Sequence, residues 1–338
     1  MIYDDVRVAA PLIAERLRTA RHILVLTHVH PDGDAAGSLI AMGHVLQGQG
    51  YRVTLVAPTA LPSAASVLAS APAVHIYVNH RTLPEDVDRV VILDTGSIDR
   101  LGPIFTEQKD YLLRRPMIVI DHHVTNEGQG TINLIVPQAS ATCELLHDLF
   151  HAWGTPIDPE TATALLLGLI TDTQSYQTSS TTPHSLLVGS QLLAAGGDLA
   201  RLINAIYFSK SFANMRAVGM ALARIERDED LIWTELTREM IEATGADDEA
   251  SDELMMILAR IAGAKAYALF KERPDGTIKV SLRSHPGVDV AAVAARFGGG
   301  GHIQASGATL HVPLAEAREA VLAALHDAVR RAVEAEYR

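Results

Sequence analysis

The sequence predicts an α/β fold, with an N-terminal domain built on a parallel sheet, a smaller α+β domain after it and a cleft between the two. Short apolar runs alternate with helical stretches through the first half of the chain, as parallel βαβ units require. These runs are almost continuously apolar, which is typical of parallel strands that are buried on both faces. The chain has 338 residues, 48% of them hydrophobic, which is long for one domain.

The N-terminal domain, placed at residues 1–190, begins with an amphipathic helix at 5–19. Strands are predicted at 22–28, 51–57, 74–78, 90–94 and 117–121, and helices at 35–47, 140–153, 160–170 and 183–195, with a further helix at 212–226 beyond this domain. Because Gly196 and Gly197 separate the last two helices, we place a linker at 191–212.

The C-terminal domain, placed at residues 213–338, mixes strands and helices without the βαβ alternation. Its strands are predicted at 231–237, 266–271 and 277–283, and its helices at 252–260, 289–296 and 313–335.

The segment after the first buried strand carries an imidazole and two carboxylates within seven residues. His28, Asp32 and Asp34 lie in a turn that Pro31 and Gly33 punctuate. If the segment stays extended, alternate residues share a side, so Asp32 and Asp34 would lie close together. Carboxylates held together repel each other unless a cation neutralises them. The segment by itself is equally well interpreted as a solvated turn.

Three later segments also end in ligand-type residues. The apolar run 90–93 is followed by Asp94, the run 117–120 by Asp121-His122-His123, and the helical stretch 162–170 by Asp172 after Thr171. Ligands of α/β sheets bind outside the carboxyl ends of the strands. A single Asp after a strand is often only a turn or N-cap residue. Four such segments together favour a shared metal site.

The ligand types indicate the metal and the chemistry. Six side chains supply four carboxylates and two imidazoles without a thiolate, namely His28, Asp32, Asp34, Asp94, His122 and Asp172. Hard oxygen ligands with imidazole suit Mn²⁺ or another octahedral divalent ion better than structural zinc. Six side chains exceed what one ion needs, so we expect two ions that share a carboxylate. Such pairs, roughly 3.5–4 Å apart, hydrolyse phosphoesters with a bridging hydroxide as nucleophile.

At these four segments the chain resembles the DHH-family phosphoesterases, whose name describes the triplet Asp121-His122-His123. The motifs occur in the family's order as His28-x-x-Pro31-Asp32-Gly33-Asp34, Leu93-Asp94, Asp121-His122-His123 and Thr171-Asp172. The resemblance implies one ion on His28, Asp32 and Asp94, and a second on Asp34, Asp94, His122 and Asp172. It also implies catalytic roles for three residues: Asp94 as the bridge, Asp121 as the group that orients an imidazole, and His123 as a contact to the substrate phosphate.

His30 departs from the family pattern, because relatives usually carry Asn or Asp at this position. Two interpretations stay open: a neutral replacement near the metals, or an additional contact to the substrate.

The C-terminal half carries a candidate anion-binding segment. Arg283 and Ser284 end a predicted strand, and four glycines precede His302. A run without Cβ atoms, including Gly299, Gly300 and Gly301, lets backbone N–H groups approach an anion. Arg is suited to bidentate phosphate contact. The glycine run alone is as typical of a flexible loop, but the pattern resembles the DHH-associated C-terminal domain, which implies substrate binding by Arg283, Ser284, Gly299, Gly300, Gly301 and His302.

Within the family the chain resembles the nanoRNase and pAp phosphatase branch over residues 5–315. That resemblance implies hydrolysis of very short oligonucleotides to mononucleotides, of 3′-phosphoadenosine 5′-phosphate (pAp) to AMP and phosphate, or of both. Two alternatives stay open: an inorganic pyrophosphatase or polyphosphatase with the same metal motifs, and a non-catalytic nucleotide sensor. The sequence does not choose between RNA and DNA, or between oligonucleotide and pAp.

Composition limits the partners. A net charge of −12 argues against a surface for long nucleic acids, so short oligonucleotides or nucleotide bisphosphates are the expected substrates. Charged residues interrupt the N-terminus, which argues against a signal peptide, and no stretch approaches the ~18 apolar residues of a membrane span. We therefore expect a cytoplasmic protein without a membrane partner.

The single cysteine, Cys143, excludes an internal disulfide. Relatives suggest a homodimer, but the oligomeric state stays open.

Overall fold

The computed structural model describes residues 1–68 and 72–336, except for the side chains of residues 302, 335 and 336. The chain divides into two compact units, Met1–Ser209 and Lys210–Arg338. This division lies inside the segment 191–212 that we predicted as a linker, but most of that segment is helical.

The first unit consists of a parallel sheet and the helices around it. Its strands are β1 (Ile2–Tyr3), β2 (His22–Leu26), β3 (Arg52–Ala57), β4 (Val74–Ile76), β5 (Arg89–Leu93), β6 (Met117–Asp121) and β7 (Ile132–Ile135). Its helices are α1 (Val6–Arg18), α2 (Gly33–Gly48), α3 (Tyr77–His80), α4 (Pro103–Leu113), α5 (Thr142–Ala152), α6 (Pro159–Asp172), α7 (Pro183–Ala194) and α8 (Leu199–Tyr207). Among the described residues the strand order is β1-β7-β6-β5-β2-β3-β4, and every pairing is parallel.

Both faces of this sheet are buried, which explains the continuous apolar runs of the central strands. Alternate residues of β2, such as Ile23 and Val25, pack into a core with α1, α2, α5 and α6. The residues between them, Leu24 and Leu26, pack into a second core with α3 and α4. The predicted parallel-sheet α/β architecture is confirmed. Its consequence for function is that β2, β5 and β6 all end at the same edge of the sheet.

Five labelled elements of the first unit, β1, α3, α4, β7 and α8, were not predicted, and the reason is clear for two of them. Strand β7 has only four residues, too few for a clear period-2 pattern. Helix α8 lies within the predicted linker, where Gly196 and Gly197 form a tight turn (φ of Gly196 is +93°) and Asp198 caps the next helix through Arg201 N. Two consecutive glycines therefore mark a helix–helix turn here and not a linker.

The second unit is an α+β domain, as predicted. Its strands are β8 (Glu226–Asp228), β9 (Leu231–Leu236), β10 (Ala266–Glu272), β11 (Ile278–Ser284), β12 (Gly300–His302) and β13 (Ala305–Leu310). Its helices are α9 (Phe212–Leu222), α10 (Arg238–Thr244), α11 (Glu249–Leu258), α12 (Val290–Ala295) and α13 (Leu314–Glu336). In the described part of the chain the sheet order is β12-β13-β11-β10-β9-β8, with β9 and β10 parallel and the other neighbours antiparallel.

Within the described ranges no single helix has the length and apolarity to cross a membrane, although α7 and α8, bent by 114°, meet the length and composition test as a pair.

Helices α2 and α6 approach each other at glycines. A Cβ atom on Gly37 would lie 2.3 Å from the Ala164 carbonyl oxygen, and one on Gly168 would lie 2.3 Å from Asp34 Oδ1 and 2.4 Å from Cys143 Sγ. Such distances leave no space for even a methyl group. The close approach brings the first turn of α2, with Asp34, beside the last turn of α6, with Asp172.

We expect Gly37→Ala to lower the free energy of unfolding of the first unit by about 2 kcal/mol or more, because the methyl group meets backbone atoms that cannot rotate away. The matched control is Gly48→Ala at the end of the same helix, where a Cβ has no neighbour within 4 Å. That change should be neutral or stabilise by up to about 1 kcal/mol through the helix preference of Ala. Urea denaturation followed by circular dichroism measures both, and equal midpoints for the two variants would contradict the packing argument.

Candidate metal centre

The turn after β2 brings the first three candidate residues to the edge of the sheet. The segment does not stay extended, since α2 begins at Gly33 and Asp32 is its N-cap residue. Asp32 Oδ1 accepts hydrogen bonds from the backbone N–H groups of Asp34 (3.1 Å) and Ala35 (3.0 Å). Its other oxygen, Oδ2, lies 3.8 Å from Nε2 of His28. The start of a helix therefore places Asp32 and Asp34 at this edge of the sheet. The extended-chain alternation that we considered does not occur here.

Asp94 lies in the middle of the cluster. It follows β5 in the left-handed region (φ 58°), which Asp tolerates better than most residues, and it is 1% exposed. Oδ2 lies 3.7 Å from Nε2 of His28, and Oδ1 lies 3.5 Å from Nε2 of His122. The two oxygens of one carboxylate thus face two different imidazoles, which is the geometry of a bridging ligand.

The second imidazole faces carboxylates from two helices. Nε2 of His122 lies 3.1 Å from Asp172 Oδ2, at the end of α6, and 3.9 Å from Asp34 Oδ2. Asp34 also caps α5, because Oδ2 accepts a hydrogen bond from Thr142 N (2.6 Å) and Oδ1 accepts one from Cys143 N (2.9 Å). These bonds fix the Asp34 carboxylate on the side of the cluster away from His28.

The candidate ligands form three overlapping groups, and within each group the ligand atoms lie within 4.8 Å of one another. They are His28 with Asp32 and Asp94, Asp34 with His122 and Asp172, and Asp94 with His122 and His123. All six residues that the sequence suggested as metal ligands therefore come together. The groups are adjacent, and Asp94 contributes to the first and the third.

The electrostatics of the cluster show an excess of buried negative charge. Burial and the neighbouring carboxylates of Asp94 and Asp172 raise the pKa of Asp34 well above its usual range. Burial likewise raises the pKa of Asp172 to about 6, although His122 opposes the shift. Burial lowers the pKa of His28, but Asp32 and Asp94 outweigh it and raise that pKa to about 9. Protons on the imidazoles therefore stand in for cations in this cluster.

The imidazoles fit a divalent ion better than they fit the carboxylates. Nε2 of His28 and Nε2 of His122 are both buried, and neither makes a hydrogen bond with any described residue. The Asp172 oxygen is close enough to His122, at 3.1 Å, but lacks hydrogen-bond direction. A buried donor or acceptor without a partner is costly. Two such nitrogens, both aimed at carboxylate oxygens, are what a pair of divalent-metal sites requires.

Asp121 is placed behind the cluster and not in it. Its Oδ1 accepts hydrogen bonds from His123 N (3.0 Å) and from His123 Nδ1 (2.7 Å), and its Oδ2 accepts from Gly96 N (2.6 Å) and Asn126 Nδ2 (2.6 Å). Burial alone would raise the pKa of Asp121, but the bonds from His123 and Asn126 hold it well below the usual range. With its proton on Nδ1, His123 can use only Nε2 toward a ligand.

Sequence reasoning missed three residues that contact the candidate ligands or Asp121. Thr142 Oγ1 donates to Asp94 Oδ1 (3.0 Å), Asn126 supports Asp121, and Arg100 Nη2 lies 3.2 Å from Nδ1 of His28. Thr142 is fully buried at the start of α5, so it holds Asp94 with its hydroxyl and Asp34 with its N–H. Its signal in the sequence was weak, because it is one of several Ser and Thr residues at helix starts.

The candidate anion-binding residues of the second unit lie together near one sheet edge. Arg283 is partly buried at the end of β11, and burial lowers its pKa. Within the described residues its one hydrogen bond runs from Nη1 to the Leu282 carbonyl oxygen (3.0 Å). Ser284 Oγ donates to the Val288 carbonyl (2.7 Å), so its hydroxyl hydrogen is already used.

The glycine run is part of the sheet and not only a loop. Gly300, Gly301 and residue 302 form β12, which pairs with β13. A Cβ on Gly299 would lie 2.1 Å from the Gly307 carbonyl oxygen, so this glycine is required by strand packing. Gly300, in contrast, has open space where a Cβ would lie. The side chain of His302 lies outside the described part of the structure.

Comparison with known proteins gives consistent results along the chain. The N-terminal domain of the DHH family matches residues 22–169, and the DHHA1 domain matches residues 235–331. The bifunctional oligoribonuclease and PAP phosphatase NrnA of Thermus thermophilus is 31% identical, over 95% of this chain and 94% of that protein. The cyclic-di-AMP phosphodiesterase GdpP of Geobacillus thermodenitrificans is 28% identical over 95% of this chain but only 50% of its own length.

Among solved structures, an exopolyphosphatase-related protein from Bacteroides fragilis superposes with a TM-score of 0.89 at 26% identity, covering 95% of this chain and 96% of that one. The matching domains occur in the same order as the two units, and the DHH match covers five of the six candidate metal ligands, with Asp172 just beyond it. The chain therefore belongs to the DHH family of phosphoesterases, and it combines the family's N-terminal domain with a DHHA1 domain.

Proposed function

We propose that this protein hydrolyses very short oligonucleotides to mononucleotides, and pAp to AMP and phosphate, at a centre of two divalent ions, with Mn²⁺ as the metal. The observation that carries the proposal is the bridging position of Asp94 between two imidazoles whose Nε2 atoms lack a hydrogen-bond partner among the described residues. The proposal is supported by the relatives named NrnA, which are described as oligoribonucleases and PAP phosphatases.

His28, Asp32 and Asp94 would hold one ion, and Asp34, Asp94, His122 and Asp172 would hold the other. Bound there, two divalent ions would polarise the phosphoryl oxygens and supply an activated water for in-line displacement. Asp121 keeps the His123 ring oriented with its proton on Nδ1. Nε2 of His123 is then the nitrogen that we assign to the substrate phosphate, and it donates to a phosphate oxygen only when it carries a proton as well. Thr142 Oγ1 donates a hydrogen bond to Asp94 Oδ1 and so fixes the orientation of the Asp94 carboxylate.

The second unit would bind the remainder of the substrate. Arg283 is partly buried, and among the described residues its guanidinium donates its one hydrogen bond to the carbonyl oxygen of the preceding residue, Leu282. Burying such a charge is unfavourable unless an anion approaches it. Open space at the Gly300 Cβ position lets a phosphate approach the backbone of the edge strand β12. A net charge of −12 is compatible with this local recognition, because a short substrate needs only a few cationic contacts. The predicted cytoplasmic location stays a prediction.

The experiment that tests the proposed function measures product release in Mn²⁺ from two- to five-nucleotide RNAs, pAp, linear di-adenylate, pyrophosphate and polyphosphate, each with a chelated control. Mononucleotides from the RNAs and phosphate from pAp would establish both activities. A second candidate, polyphosphate hydrolysis, is favoured by the structural match to an exopolyphosphatase-related protein, and turnover of pyrophosphate or polyphosphate alone would support it. Nucleotide binding without turnover of any substrate would indicate a sensor.

Asp94→Asn should reduce kcat/KM for every substrate by more than about 10²-fold, because the amide supplies only one oxygen to a position that two ions would share. The matched control is Asp99→Asn, an exposed carboxylate in the same segment, which should behave like the wild type. Retention of more than about a tenth of the activity in Asp94→Asn would exclude a bridging role.

Binding of Mn²⁺ near pH 7.5 should release protons, about one for each imidazole that becomes a ligand. The reason is that the carboxylates raise the pKa of His28 to about 9 and that of His122 to about 11, against the effect of burial. Both rings therefore carry a second proton at this pH, which the metal must displace, and the affinity rises with pH. Isothermal titration in buffers with different ionisation enthalpies counts the protons. A binding enthalpy that is independent of the buffer would be evidence against imidazole ligation.

Arg283→Ala should raise KM for nucleotide substrates by about tenfold or more while kcat changes less, because it removes binding that is uniform through the reaction. Arg283→Lys keeps the charge without the bidentate geometry and should lie between. Arg296→Ala, an exposed arginine of the same unit, is the control. An unchanged KM for both RNA and pAp would remove Arg283 from the binding site.

A further inference from the structure

Three consecutive residues in the left-handed backbone region follow Asp172 at the end of α6. The φ angles are 47° for Gln174, 60° for Ser175 and 64° for Tyr176, and we call these residues the left-handed turn. A helix commonly ends with one left-handed residue, usually glycine, because a Cβ atom crowds the backbone in this conformation. Three in succession, none of them glycine, are unfavourable unless the surrounding structure holds them in place. The left-handed turn is therefore strained backbone directly after a candidate metal ligand.

The left-handed turn closes the last turn of α6, in which Asp172 lies. Ser175 N donates a hydrogen bond to the Ile170 carbonyl oxygen (2.8 Å), and Gln174 N donates one to the Thr171 carbonyl oxygen (3.1 Å). These carbonyl groups directly precede Asp172, and the end of a helix leaves such groups without a partner inside the helix. If the left-handed turn relaxed to another conformation, both bonds would be lost and the end of the helix would fray. The direction of the Asp172 carboxylate therefore depends on the conformation of this turn.

Tyr176 anchors the left-handed turn to α7. A Cβ atom on Gly189, in the middle of α7, would lie 1.9 Å from the Tyr176 hydroxyl oxygen and 3.1 Å from its Cζ. The tip of the tyrosine therefore fills a space that only glycine leaves open. Tyr176 N also donates to Oγ1 of Thr173 (3.0 Å), a fully buried residue. Both the side chain and the backbone of Tyr176 are thus fixed by their surroundings.

Ser175 anchors the left-handed turn to α8. Its Oγ lies 3.0 Å from the hydroxyl oxygen of Tyr207, and the two groups share a hydrogen bond. Both residues are partly buried, so a hydroxyl that lost its partner here would recover little hydration. Tyr207 is the last residue of α8 and lies 32 residues from Ser175 in the chain. The bond is therefore a tertiary contact that the capping of α6 does not itself require.

We infer that the left-handed turn holds the Asp172 carboxylate in the direction that the second metal ion requires. Ser175, Tyr176 and Tyr207 are the positioning residues, and they act through that carboxylate without contact with the substrate. This inference rests on the proposed function, in which Asp172 binds the second ion and not the ion at His28. A loosened turn would therefore weaken the binding of one ion more than the binding of the other.

Displacement of Tyr176, and its reversal, test the first anchor. Gly189→Ala introduces a Cβ that meets the tyrosine hydroxyl, and Tyr176→Phe removes that oxygen in the double variant. We expect Gly189→Ala to weaken the binding of one of two Mn²⁺ ions by about 10–100-fold, and the double variant to recover most of the loss. The matched control is Gly219→Ala on α9, where a Cβ has no neighbour within 4 Å. Isothermal titration of the metal-free proteins with Mn²⁺ measures both affinities.

Removal of the hydrogen bond between Ser175 and Tyr207 tests the second anchor. Ser175→Ala and Tyr207→Phe should each weaken the binding of the same ion by about two- to tenfold. The double variant should bind no more weakly than either single variant, because both changes remove one bond. Amide hydrogen exchange of the metal-free variants should be faster at Ser175 N, whose partner is the Ile170 carbonyl oxygen. Ser179→Ala, an exposed serine of the same segment, is the matched control.

The outcomes separate the inference from the proposed function. Unchanged Mn²⁺ affinities in all variants of a protein that binds two ions would overturn the inference alone. An equal loss for both ions, with a lower free energy of unfolding, would also overturn it, because the turn would then only support the fold. A wild type that binds a single ion would overturn both the inference and the two-metal centre. A wild type that binds two ions but hydrolyses no substrate would overturn only the proposed function.

Discussion

Backbone contact between α2 and α6 is the constraint on which the candidate metal centre depends. The two helices carry Asp34 and Asp172 on turns that can lie this close because Gly37 and Gly168 place no Cβ atom at these points of close approach. Strands β5 and β6 deliver Asp94 and His122 to the sheet edge with little freedom, since both strands are buried on two faces. The distance between the candidate ligands that follow strands and the candidate ligands on the two helices therefore depends on how closely α6 approaches α2. One methyl group at this contact would act on the whole cluster.

Burial and repulsion among the carboxylates oppose this arrangement, and the raised pKa of Asp34 shows that they outweigh the hydrogen bonds that it accepts. The Asp34 carboxylate accepts two N–H groups from the first turn of α5, which favours its charged form. Its pKa is nevertheless raised, because full burial and two further carboxylates outweigh the helix terminus. Hydrogen bonds alone therefore do not stabilise this much negative charge. Positive charge must be supplied, either by protons on His28 and His122 or by divalent ions.

Three of the candidate ligands could be placed from the sequence because each closely follows a buried strand. A continuous apolar run identifies the strand, and parallel strands share a carboxyl edge, so His28, Asp94 and His122 needed no knowledge of tertiary packing. Thr142 and Arg100 could not be predicted in this way. Their contacts with Asp94 and His28 join segments that are 48 and 72 residues apart in the chain. Helix α8 was missed for a different reason, since Gly196-Gly197 is compatible with both a linker and a tight turn.

The capping of α5 by Asp34 has a consequence for how such a protein diverges. A carboxylate that satisfies two backbone N–H groups at a helix start contributes to folding whether or not the protein retains catalysis. His28 caps no helix, whereas Asp32 caps α2 through the backbone N–H groups of Asp34 and Ala35. A lineage that abandons catalysis would therefore lose His28 first and keep Asp32 and Asp34. An Asp at the start of α2 in a distant homologue is therefore explained by its role in capping a helix. It does not by itself show that the homologue is an enzyme.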